Sequence, residues 1–511
     1  MKRHFSKITF AVLCCLALSS CDKGFKEMNT NPNSSPVVNP AFTFTKAQLD
    51  GAANALILLQ GTMQYTTSYN DVAGFGAKYV LSQSSASYAA FTNAYPKEVN
   101  EIISVINTVK ADPAQVNLLA SSRIWKAYIF SRLTDLYGDI PYFQAGKGFT
   151  DAIYKPVYDT QQSIYADLLK ELDESATSLD ASKGNVGAAD LIYGGNVAQW
   201  KKFAYSLMLR MAMRMTKVDP ALAQTWAQKA IAGGVIIDNG DIAKVNGYAS
   251  SGQDINKNPL ALNMLNSDYV IAPGVPPGAN NTEGGKYQDV FINSLKANKD
   301  PRLGVLSVVY VNGKADTSVA VQKGMSSSLG SKPADFVTYS EPNQGTLLQL
   351  NSPYMLLTNA ETNFLLAEAA LRGWYPAGSA STLYENGIRA SMQQWALFGT
   401  AGVISDLQIN TYIKYHKLNT GGSFDNQMQQ IYNEFWVGVF PNSQEVFATY
   451  RRTGYPALVP NNYVGNATGG KIFRRMEYPL SEQNLNGENY KAAVARQGAD
   501  DFLTRIWWDK Q

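Results

Sequence analysis

The sequence feature that most constrains the fold is a repeated apolar spacing of three and four residues. Between Val197 and Met211, apolar residues recur at the interval that places them along one face of an α-helix. We expect this helix to end near Val218. Asp219-Pro220 then provides an N-cap and a first-turn proline for a second helix, which we expect to end at Gly233-Gly234. The sequence therefore predicts an antiparallel helix pair, with the methionines of the first helix packed in a core rather than around a cofactor.

Two further segments of the chain show the same pattern. Residues 115–136 are predicted to pair with 161–179, and residues 359–371 with 383–397. Thr382 and Glu385 have the spacing of a capping box at the start of the last helix. Stacked helix pairs are the unit of an α-solenoid of the tetratricopeptide kind. We therefore predict a mostly α fold, a single large domain with tetratricopeptide-like helix pairs as its scaffold.

Long irregular stretches separate these pairs. Residues 238–282 and 311–353 are rich in Gly, Asn, Ser and Pro. Loops of this length within a compact domain are usually functional or mobile. We expect them to form an irregular, loop-rich face on the helical scaffold.

The N-terminus has the features of a lipoprotein signal. Lys2, Arg3 and Lys7 precede an apolar run from Ile8 to Leu18, which is shorter than the ~20 residues of a membrane-spanning helix. Ser19-Ser20-Cys21 follows, and its cysteine is the predicted site of lipidation. This predicts a signal peptide at 1–20, a lipidated N-terminus and polar tether at 21–43, and a folded domain at 44–511. An ordinary secretory signal cut nearby is the alternative.

Residue counts exclude several kinds of chemistry. The other two of the three cysteines, Cys14 and Cys15, lie within the signal, so the body has neither disulfides nor a thiol nucleophile. Only His416 remains beyond the signal, and we expect it to be a surface or packed histidine. Three of the 44 basic residues also belong to the signal, which leaves 41 against 41 acidic residues. A neutral body of this kind does not favour nucleic acid as a partner.

Linear catalytic motifs give no positive indication of an enzyme. Residues 465–471 have the glycine and lysine spacing of a phosphate loop, but Ile472 stands where the magnesium-binding Ser or Thr belongs. We interpret this as a chance match. The sequence lacks a G-x-S-x-G elbow, an H-E-x-x-H helix and an EF-hand loop. We expect no catalytic residues, no cofactor and no metal cluster, although a calcium site built from loop carbonyls has no linear signature.

Several short strings, in order along the chain, resemble the SusD/RagB family of outer-membrane nutrient-binding lipoproteins, and its SusD-like subgroup in particular. The strings are Asn29-Thr-Asn-Pro-Asn33, Asp135-Leu-Tyr-Gly-Asp-Ile-Pro-Tyr142, Leu365-Leu-Ala-Glu-Ala-Ala-Leu371, Tyr450-Arg-Arg-Thr-Gly-Tyr-Pro456, Arg474-Arg-Met-Glu-Tyr-Pro479 with Asn484 and Asn489 after it, and Thr504-Arg-Ile-Trp-Trp-Asp509. Their Gly, Pro and Trp residues suit helix ends, turns and core closure, so we expect the strings themselves to be structural.

The resemblance implies a binding protein rather than an enzyme. It implies an outer-membrane lipoprotein that faces the cell exterior, binds an oligosaccharide or a peptide, and passes it to a SusC-like TonB-dependent barrel. Ligand contacts in the family come mainly from loops. A sugar presents an apolar ring face and many hydroxyl groups, so we expect aromatic platforms beside amide or charged side chains.

Gln83–Tyr95 is the segment that best fits this expectation, because it follows the first helical region as the binding loop does in related proteins. Its candidate ligand-binding residues, together with one in a second Pro/Gly-rich stretch, are Gln83, Tyr88, Phe91, Asn93, Tyr95 and Tyr269. Tyr88 and Phe91 are three residues apart, so they are equally consistent with the buried stripe of a short helix.

Two other functions stay open at the sequence level. An all-α glycoside hydrolase needs only two carboxylates about 5–10 Å apart, and Asp135 and Asp139 lie four residues apart near a helix end. Capping and surface solvation explain this pair better. A helical-repeat scaffold for protein partners is the second alternative.

Overall fold

The computed structural model describes residues 39–53, 57–69, 76–80, 85–268 and 285–510. Helices dominate these residues, and a π-helical turn, Tyr95–Val99, lies between the third and fourth of them. The α-helices are Pro40–Ala53 (α1), Ile57–Thr62 (α2), Ser85–Ala94 (α3), Asn100–Val109 (α4), Val116–Tyr137 (α5), Gly148–Asp151 (α6), Gln161–Ser178 (α7), Val197–Arg214 (α8), Pro220–Gly233 (α9), Pro259–Asp268 (α10), Asp289–Ala297 (α11), Arg302–Leu306 (α12), Asn359–Leu371 (α13), Ala380–Gln393 (α14), Asp406–Tyr415 (α15), Phe424–Gly438 (α16), Ser443–Thr453 (α17), Leu480–Leu485 (α18) and Gly487–Gln497 (α19).

The predicted pair α5 and α7 is present, and hydrogen bonds link the opposite ends of the two helices. Asn117 Nδ2, in the first turn of α5, donates to the carbonyl of Asp180 just beyond α7 at 2.8 Å. Gln161 Nε2, in the first turn of α7, donates to the carbonyl of Thr134 near the end of α5, also at 2.8 Å. The start of each helix therefore lies beside the end of its partner, which makes the pair antiparallel.

The pair α8 and α9 is also present, although α8 ends earlier than predicted. Asn196 caps α8 by accepting a hydrogen bond from the Gln199 N–H, and Asp219 caps α9 by accepting one from the Leu222 N–H. The sequence predicted that α8 would continue to about Val218. It ends at Arg214 because the backbone then tightens into turns with shorter-range hydrogen bonds. Its apolar stripe, including the methionines, is buried as expected.

The third pair, α13 and α14, confirms the pairing but corrects one helix start. The capping box predicted at Thr382 is wrong. Ser379 is the N-cap, and its hydroxyl accepts a hydrogen bond from the Thr382 N–H, so that α14 begins at Ala380. Gly387 then allows close packing on α13, since a Cβ at this position would lie 2.7 Å from the Phe364 ring.

The pairs stack on one another, which confirms the mostly α fold with tetratricopeptide-like helix pairs. Helix α8 packs against α7 on one side and α13 on the other, and α13 also packs against α16. Buried ion pairs join these layers. Arg210 of α8 contacts Glu361 of α13 at 2.6 Å, and Arg214 of α8 contacts Glu445 of α17 at 2.5 Å. The apolar stripe of α8 gave no indication of these two buried charges.

Short antiparallel strands connect the irregular stretches to the scaffold. The strands are Thr66–Thr67 (β1), Ile140–Pro141 (β2), Tyr158–Asp159 (β3), Ala243–Asn246 (β4), Lys286–Tyr287 (β5), Ser307–Val311 (β6), Lys314–Asp316 (β7), Glu341–Pro342 (β8) and Pro353–Leu357 (β9). They pair as β1 with β5, β2 with β3, β4 with β9, and β7–β6–β8 in a three-stranded sheet.

Two observations concern the membrane and the N-terminal boundary. Among the helices described above, none is long and apolar enough to cross a membrane.

Helix α1 begins at Pro40, within the last residues of the predicted 21–43 tether, and Asn39 Oδ1 accepts a hydrogen bond from the Ala41 N–H at its start.

Candidate functional site

The segment predicted to form a binding loop is mostly helical. Ser85–Ala94 forms α3, so the expectation of a loop is wrong for these residues. The segment contains several alanines, which favour a helix, and it buries Phe91 on one face. Two of the predicted ligand-binding residues, Gln83 and Tyr269, lie outside the described residues.

The structure brings Phe91 and Tyr95 together, but in contacts within the protein. Their ring centroids are 4.7 Å apart, and Phe91 also meets Tyr137 edge-on at 5.2 Å. Phe91 is 4% exposed, which leaves little of its ring for a ligand. The Tyr95 hydroxyl donates to the Pro141 carbonyl at 2.8 Å, and burial raises the pKa of Tyr95 well above its ordinary value.

Tyr88 and Asn93 occupy different surroundings on α3. Tyr88 is almost buried, and burial together with the nearby carboxylates of Glu477 and Asp500 raises its pKa to about 12. Burial, followed by the charge of Asp500, also raises the pKa of Glu477 to about 7. Asn93 is exposed. A ligand-binding role for α3 stays a prediction. Of the candidate residues on this helix, Asn93 is the one most open to a ligand.

A second group of aromatic and amide side chains lies on the irregular part of the molecule. We call it the loop face, and define it by residues 66–69, 76–80, 323–343 and 459–470. Hydrogen bonds to main-chain carbonyls hold these segments together. The Ala467 N–H donates to the Tyr79 carbonyl at 2.8 Å, and Asn461 Nδ2 donates to the Ser327 carbonyl at 2.7 Å.

Three half-buried tyrosines lie on the loop face, each with one side held by a neighbour. Lys78 lies over the ring of Tyr463, with Nζ 4.7 Å from the centroid, and Lys323 lies over Tyr339 at 4.2 Å. Tyr69 meets Phe336 edge-on at 5.3 Å. These contacts fix the ring planes while the rings keep part of their surface in solvent, which suits a preformed binding surface.

A buried ion pair lies beneath the loop face. Lys286 Nζ contacts Glu341 Oε2 at 2.5 Å, and both side chains are almost fully buried. Burial lowers the pKa of Lys286, and the charge of Glu341 opposes this effect. The Lys286 ammonium also lies 4.8 Å from the Phe336 centroid. The Lys286–Glu341 ion pair therefore packs against Phe336 inside the protein and does not face solvent.

The glycine-rich run at 465–470 shapes one edge of the loop face. Gly465, Gly469 and Gly470 have positive φ angles of 83°, 60° and 76°, which favour glycine. Asn466 Oδ1 accepts hydrogen bonds from the N–H groups of Thr468 and Gly470 and closes the turn. A phosphate loop leads directly into a helix, whereas the next helix here is α18. The structure therefore agrees with the interpretation of a chance match.

The side chains considered for catalysis make structural contacts. Asp135 accepts hydrogen bonds from the Tyr165 hydroxyl and from Trp508 Nε1. Asp139 accepts from the Gln161 N–H at 2.9 Å and forms a 2.7 Å ion pair with Arg496. These contacts fix the orientation of both carboxylates. Both side chains are buried, so the expectation of surface solvation is wrong, and packing against the C-terminal part of the chain holds them instead.

His416 and the acidic residues are the remaining candidates for catalytic or metal-binding groups. The His416 ring stacks on Tyr412 at a centroid distance of 3.9 Å, and its Nδ1 lies 2.8 Å from the Tyr412 carbonyl oxygen. This is a packed histidine at the end of α15. Within the described ranges, no group of three or more His, Cys, Asp or Glu side chains is arranged to hold a metal ion.

Stacked antiparallel helix pairs that carry a loop face of aromatic and amide side chains define an α-helical, tetratricopeptide-like class of protein. The chain belongs to the SusD-like family. The model of the family described as "Starch-binding associating with outer membrane" matches residues 32–479. Comparison with curated proteins found no match.

Solved structures of SusD-like proteins have the same fold. A structure described as a chitin-binding protein is 30% identical, covers 93% of this chain and 100% of its own, and gives a TM-score of 0.79. A Bacteroidetes SusD-like structure, AC2a, is 27% identical over the same shares, with a TM-score of 0.81. A chitin-binding SusD homolog from Flavobacterium johnsoniae is 25% identical, covers 92% of this chain and 98% of its own, and gives a TM-score of 0.72.

Sequence reasoning missed the tyrosines of the loop face. Tyr69, Tyr339 and Tyr463 come from segments more than a hundred residues apart, so no local spacing links them. One signal was present, because Tyr463 lies just before the Gly/Asn-rich run at 465–470, separated from it only by Val464. Tyrosine beside a turn-forming run in a long irregular stretch is a fair indication of a surface loop.

Proposed function

We propose that the chain is a cell-surface lipoprotein that binds an oligosaccharide and delivers it to a SusC-like TonB-dependent transporter. The observation that supports the ligand class most directly is the likeness, over nearly the whole chain, to a solved chitin-binding protein that is 30% identical. The family description adds starch binding at the outer membrane. A β-linked N-acetylglucosamine oligomer is therefore the first ligand to test, and an α-linked glucose oligomer is the second.

The loop face is the proposed ligand-binding surface. Tyr339 and Tyr463 are held by lysines and remain half exposed, so each has ring surface for the apolar face of a sugar. Asn462 is exposed nearby and provides both donors and acceptors for hydroxyl groups. By contrast, Phe91 and Tyr95 use their rings within the protein. Asn93 and Tyr88 on α3 form the alternative location for the same ligand.

Calorimetric titration of the whole chain, purified in detergent, tests both the ligand and the surface. We expect saturable binding of chitohexaose or maltohexaose, and at least about tenfold weaker binding for Tyr463→Ala and Tyr339→Ala, because truncation of an aromatic side chain at a binding hot spot costs about 2 kcal/mol or more. Tyr415→Ala is the matched control, since Tyr415 is 73% exposed on α15 and lies outside the loop face. Unchanged binding by both loop-face variants would contradict the location.

The same titration separates the binding role from catalysis. After each experiment, the oligosaccharide is analysed for shorter products. Intact ligand after saturable binding supports a binding protein. Product that accumulates with time would replace this proposal with a glycoside hydrolase, for which Asp135→Asn and Asp139→Asn are the first variants to examine.

The proposed anchor and domain boundaries follow from the sequence. Residues 1–20 form the signal, Cys21 carries the lipid, residues 21–43 form the tether, whose last residues open α1, and residues 44–511 form the binding domain. Cys21→Ser removes the thiol that accepts the lipid, so we expect the chain to leave the membrane fraction. Surface proteolysis of intact cells tests the outward orientation. Co-purification of an outer-membrane barrel with the wild-type chain tests the transporter partner, and a soluble partner instead would favour the scaffold alternative.

A further inference from the structure

A cavity of about 460 Å³ lies where the C-terminal segment meets the start of α7 and the end of α19. Its volume falls within the ~300–1,000 Å³ that small-molecule sites occupy. None of its lining residues belongs to the loop face, so it is a separate place on the molecule. By comparison, the cavity beside the buried Arg210 and Arg214 has only about 20 Å³, enough for little more than a water molecule.

One wall of the cavity includes the Trp507 indole. The two adjacent tryptophans differ in their surroundings, because Trp508 is fully buried while Trp507 is half-buried and lines the cavity. Trp507 also meets Tyr165 at 5.7 Å in a T-shaped arrangement, which fixes the orientation of its ring. An oriented indole offers a flat apolar surface beside the polar and charged side chains of the cavity.

The start of α7 adds hydrogen-bonding groups to the cavity. Gln161 has no exposed surface, and its Nε2 holds the Thr134 carbonyl, which fixes the first turn of α7 beside the cavity. The next residue, Gln162, is exposed and lines the cavity. Its side-chain amide can therefore both donate to and accept from a ligand hydroxyl.

The charges around the cavity do not balance. Asp509 is buried and is shared by two guanidinium groups, with Arg474 Nε at 2.7 Å and Arg505 Nη1 at 2.7 Å. Lys510 adds an exposed positive charge beside them. The remaining cation, Arg496, is already neutralised by Asp139. The excess is therefore positive and is located beside the Trp507 indole, which favours a ligand that carries a negative charge.

We propose that this cavity is a second binding site, for a short acidic saccharide of the uronate type. The indole of Trp507 packs against the apolar face of a sugar ring, and the Gln162 amide binds its hydroxyl groups. Arg505 and Lys510 bind the carboxylate. The site is distinct from the loop face, so the chain has one binding surface for a neutral sugar chain and another for an acidic one.

Calorimetry on the whole chain in detergent, with digalacturonate as the probe and its dimethyl ester as the neutral control, tests this site. We expect saturable binding of digalacturonate, with affinity that decreases at high salt, and much weaker binding of the ester. Arg505→Gln and Lys510→Gln should each weaken binding about tenfold or more, because each removes a charged hydrogen-bond donor. Trp507→Ala should weaken it to a similar extent.

Two controls separate loss of the site from loss of the fold. Lys491→Gln removes a lysine of α19 that is also exposed but lies outside the cavity, and should leave binding of digalacturonate unchanged. Tyr463→Ala on the loop face should also leave it unchanged, so the two sites are tested independently. Thermal melts show whether Trp507→Ala remains folded, and Lys510→Gln carries the test if it does not. Absence of saturable binding by the wild-type chain, equal binding of the ester, or full affinity in Arg505→Gln and Lys510→Gln would overturn the proposal.

Discussion

Glu368 of α13 is buried among cationic and phenolic groups that determine its charge. Arg452 contacts it through two nitrogen atoms, at 2.8 and 2.7 Å, and Arg372 contacts it at 2.7 Å. Burial raises the pKa of Glu368, but the charges of Arg452 and Arg372 outweigh that effect and lower the pKa to about 2. This carboxylate therefore stays ionised inside the protein and joins α13 to α17.

Glu368→Gln should lower the free energy of unfolding by about 3–5 kcal/mol, because it leaves Arg452 buried without its counter-charge. Urea denaturation at pH 7 measures this loss. Lys323→Gln is the control, since the Lys323–Asp335 pair is about half exposed on both sides and should contribute less than about 1 kcal/mol. Equal effects of the two substitutions would contradict the role of the buried pair.

The same residue predicts an acid dependence. The pKa of Glu368 is lower in the folded chain than its ordinary value of 4.5, so the folded state binds fewer protons. Its stabilising contribution is therefore complete above about pH 4.5, and is lost as the pH falls towards 2. Urea denaturation between pH 5 and pH 3 should show a smaller decrease for Glu368→Gln than for the wild-type chain. Equal decreases in the free energy of unfolding of the two proteins would show that other groups control the loss of stability in acid.

The pKa of Glu477 is shifted in the opposite direction to that of Glu368, so its contribution to stability should depend on pH in the opposite way. Its pKa in the folded state is raised to about 7, mainly by burial and then by the charge of Asp500. The folded chain therefore binds the extra proton between about pH 4.5 and 7, and the contribution to stability is lost as the pH rises through 7. Melting temperatures measured from pH 5 to pH 8 should fall less for Glu477→Gln than for the wild-type chain. An unchanged slope would contradict this assignment.

Helix boundaries depend on a few side chains at the ends of each element. Asn196, Asp219 and Thr358 each accept a hydrogen bond from a first-turn N–H of the helix that follows, as their residue types favour. Helix α14 shows that residue spacing alone does not identify the N-cap of a helix. Both Ser379 and Thr382 are good N-cap residues, and the sequence does not state which one will have the non-helical backbone angles that a cap needs.

Ser379→Ala and Thr382→Ala distinguish the observed cap from the predicted one. Ser379→Ala should lower the free energy of unfolding by about 1 kcal/mol, because it leaves an N–H group at the start of α14 without its acceptor. Thr382→Ala should have a smaller effect, since Thr382 contributes only its N–H to the cap. Urea denaturation of both variants measures the difference, and a larger loss for Thr382→Ala would restore the capping box.

At the scale of the whole molecule, the C-terminal segment closes the helical scaffold. Trp508 Nε1 donates to Asp135 at 2.8 Å, and the guanidinium of Arg451 lies 4.7 Å from the Trp508 ring. Asp509 pairs with Arg474, and the Met476 N–H donates to the Leu136 carbonyl at 2.8 Å. Four of the short strings recognised in the sequence therefore meet at one place in the fold. Their contacts are mainly structural, although Trp507 and Arg505 also line the cavity proposed as a second binding site.

Trp508→Ala should lower the free energy of unfolding by about 3–5 kcal/mol, because it creates a cavity at a fully buried site and leaves two guanidiniums without their aromatic neighbour. Trp226→Ala is the matched control, since Trp226 is half-buried on α9 and should cost less. Denaturant titration of both variants gives the comparison. Equal losses would show that the C-terminal segment does not close the core.

The sequence by itself determined the properties that depend on local pattern and on residue counts. Periodicity located the three helix pairs to within a few residues, since a helix that buries one face must place apolar residues at intervals of three and four. The lack of cysteine after Cys21 and the single histidine beyond the signal limit the chemistry available to the chain, because residue counts do not depend on how the chain folds.

Only the tertiary structure decided which polar and aromatic side chains face solvent. Phe91 and Tyr463 are both aromatic residues near polar runs. Phe91 is packed against Tyr137, whereas Tyr463 is half-buried with Lys78 over its ring. Similarly, Arg210 and Arg214 lie on a helix whose pattern predicted an apolar core, and their buried partners come from α13 and α17. Exposure and charge pairing depend on contacts between residues far apart in the chain, which local spacing does not encode.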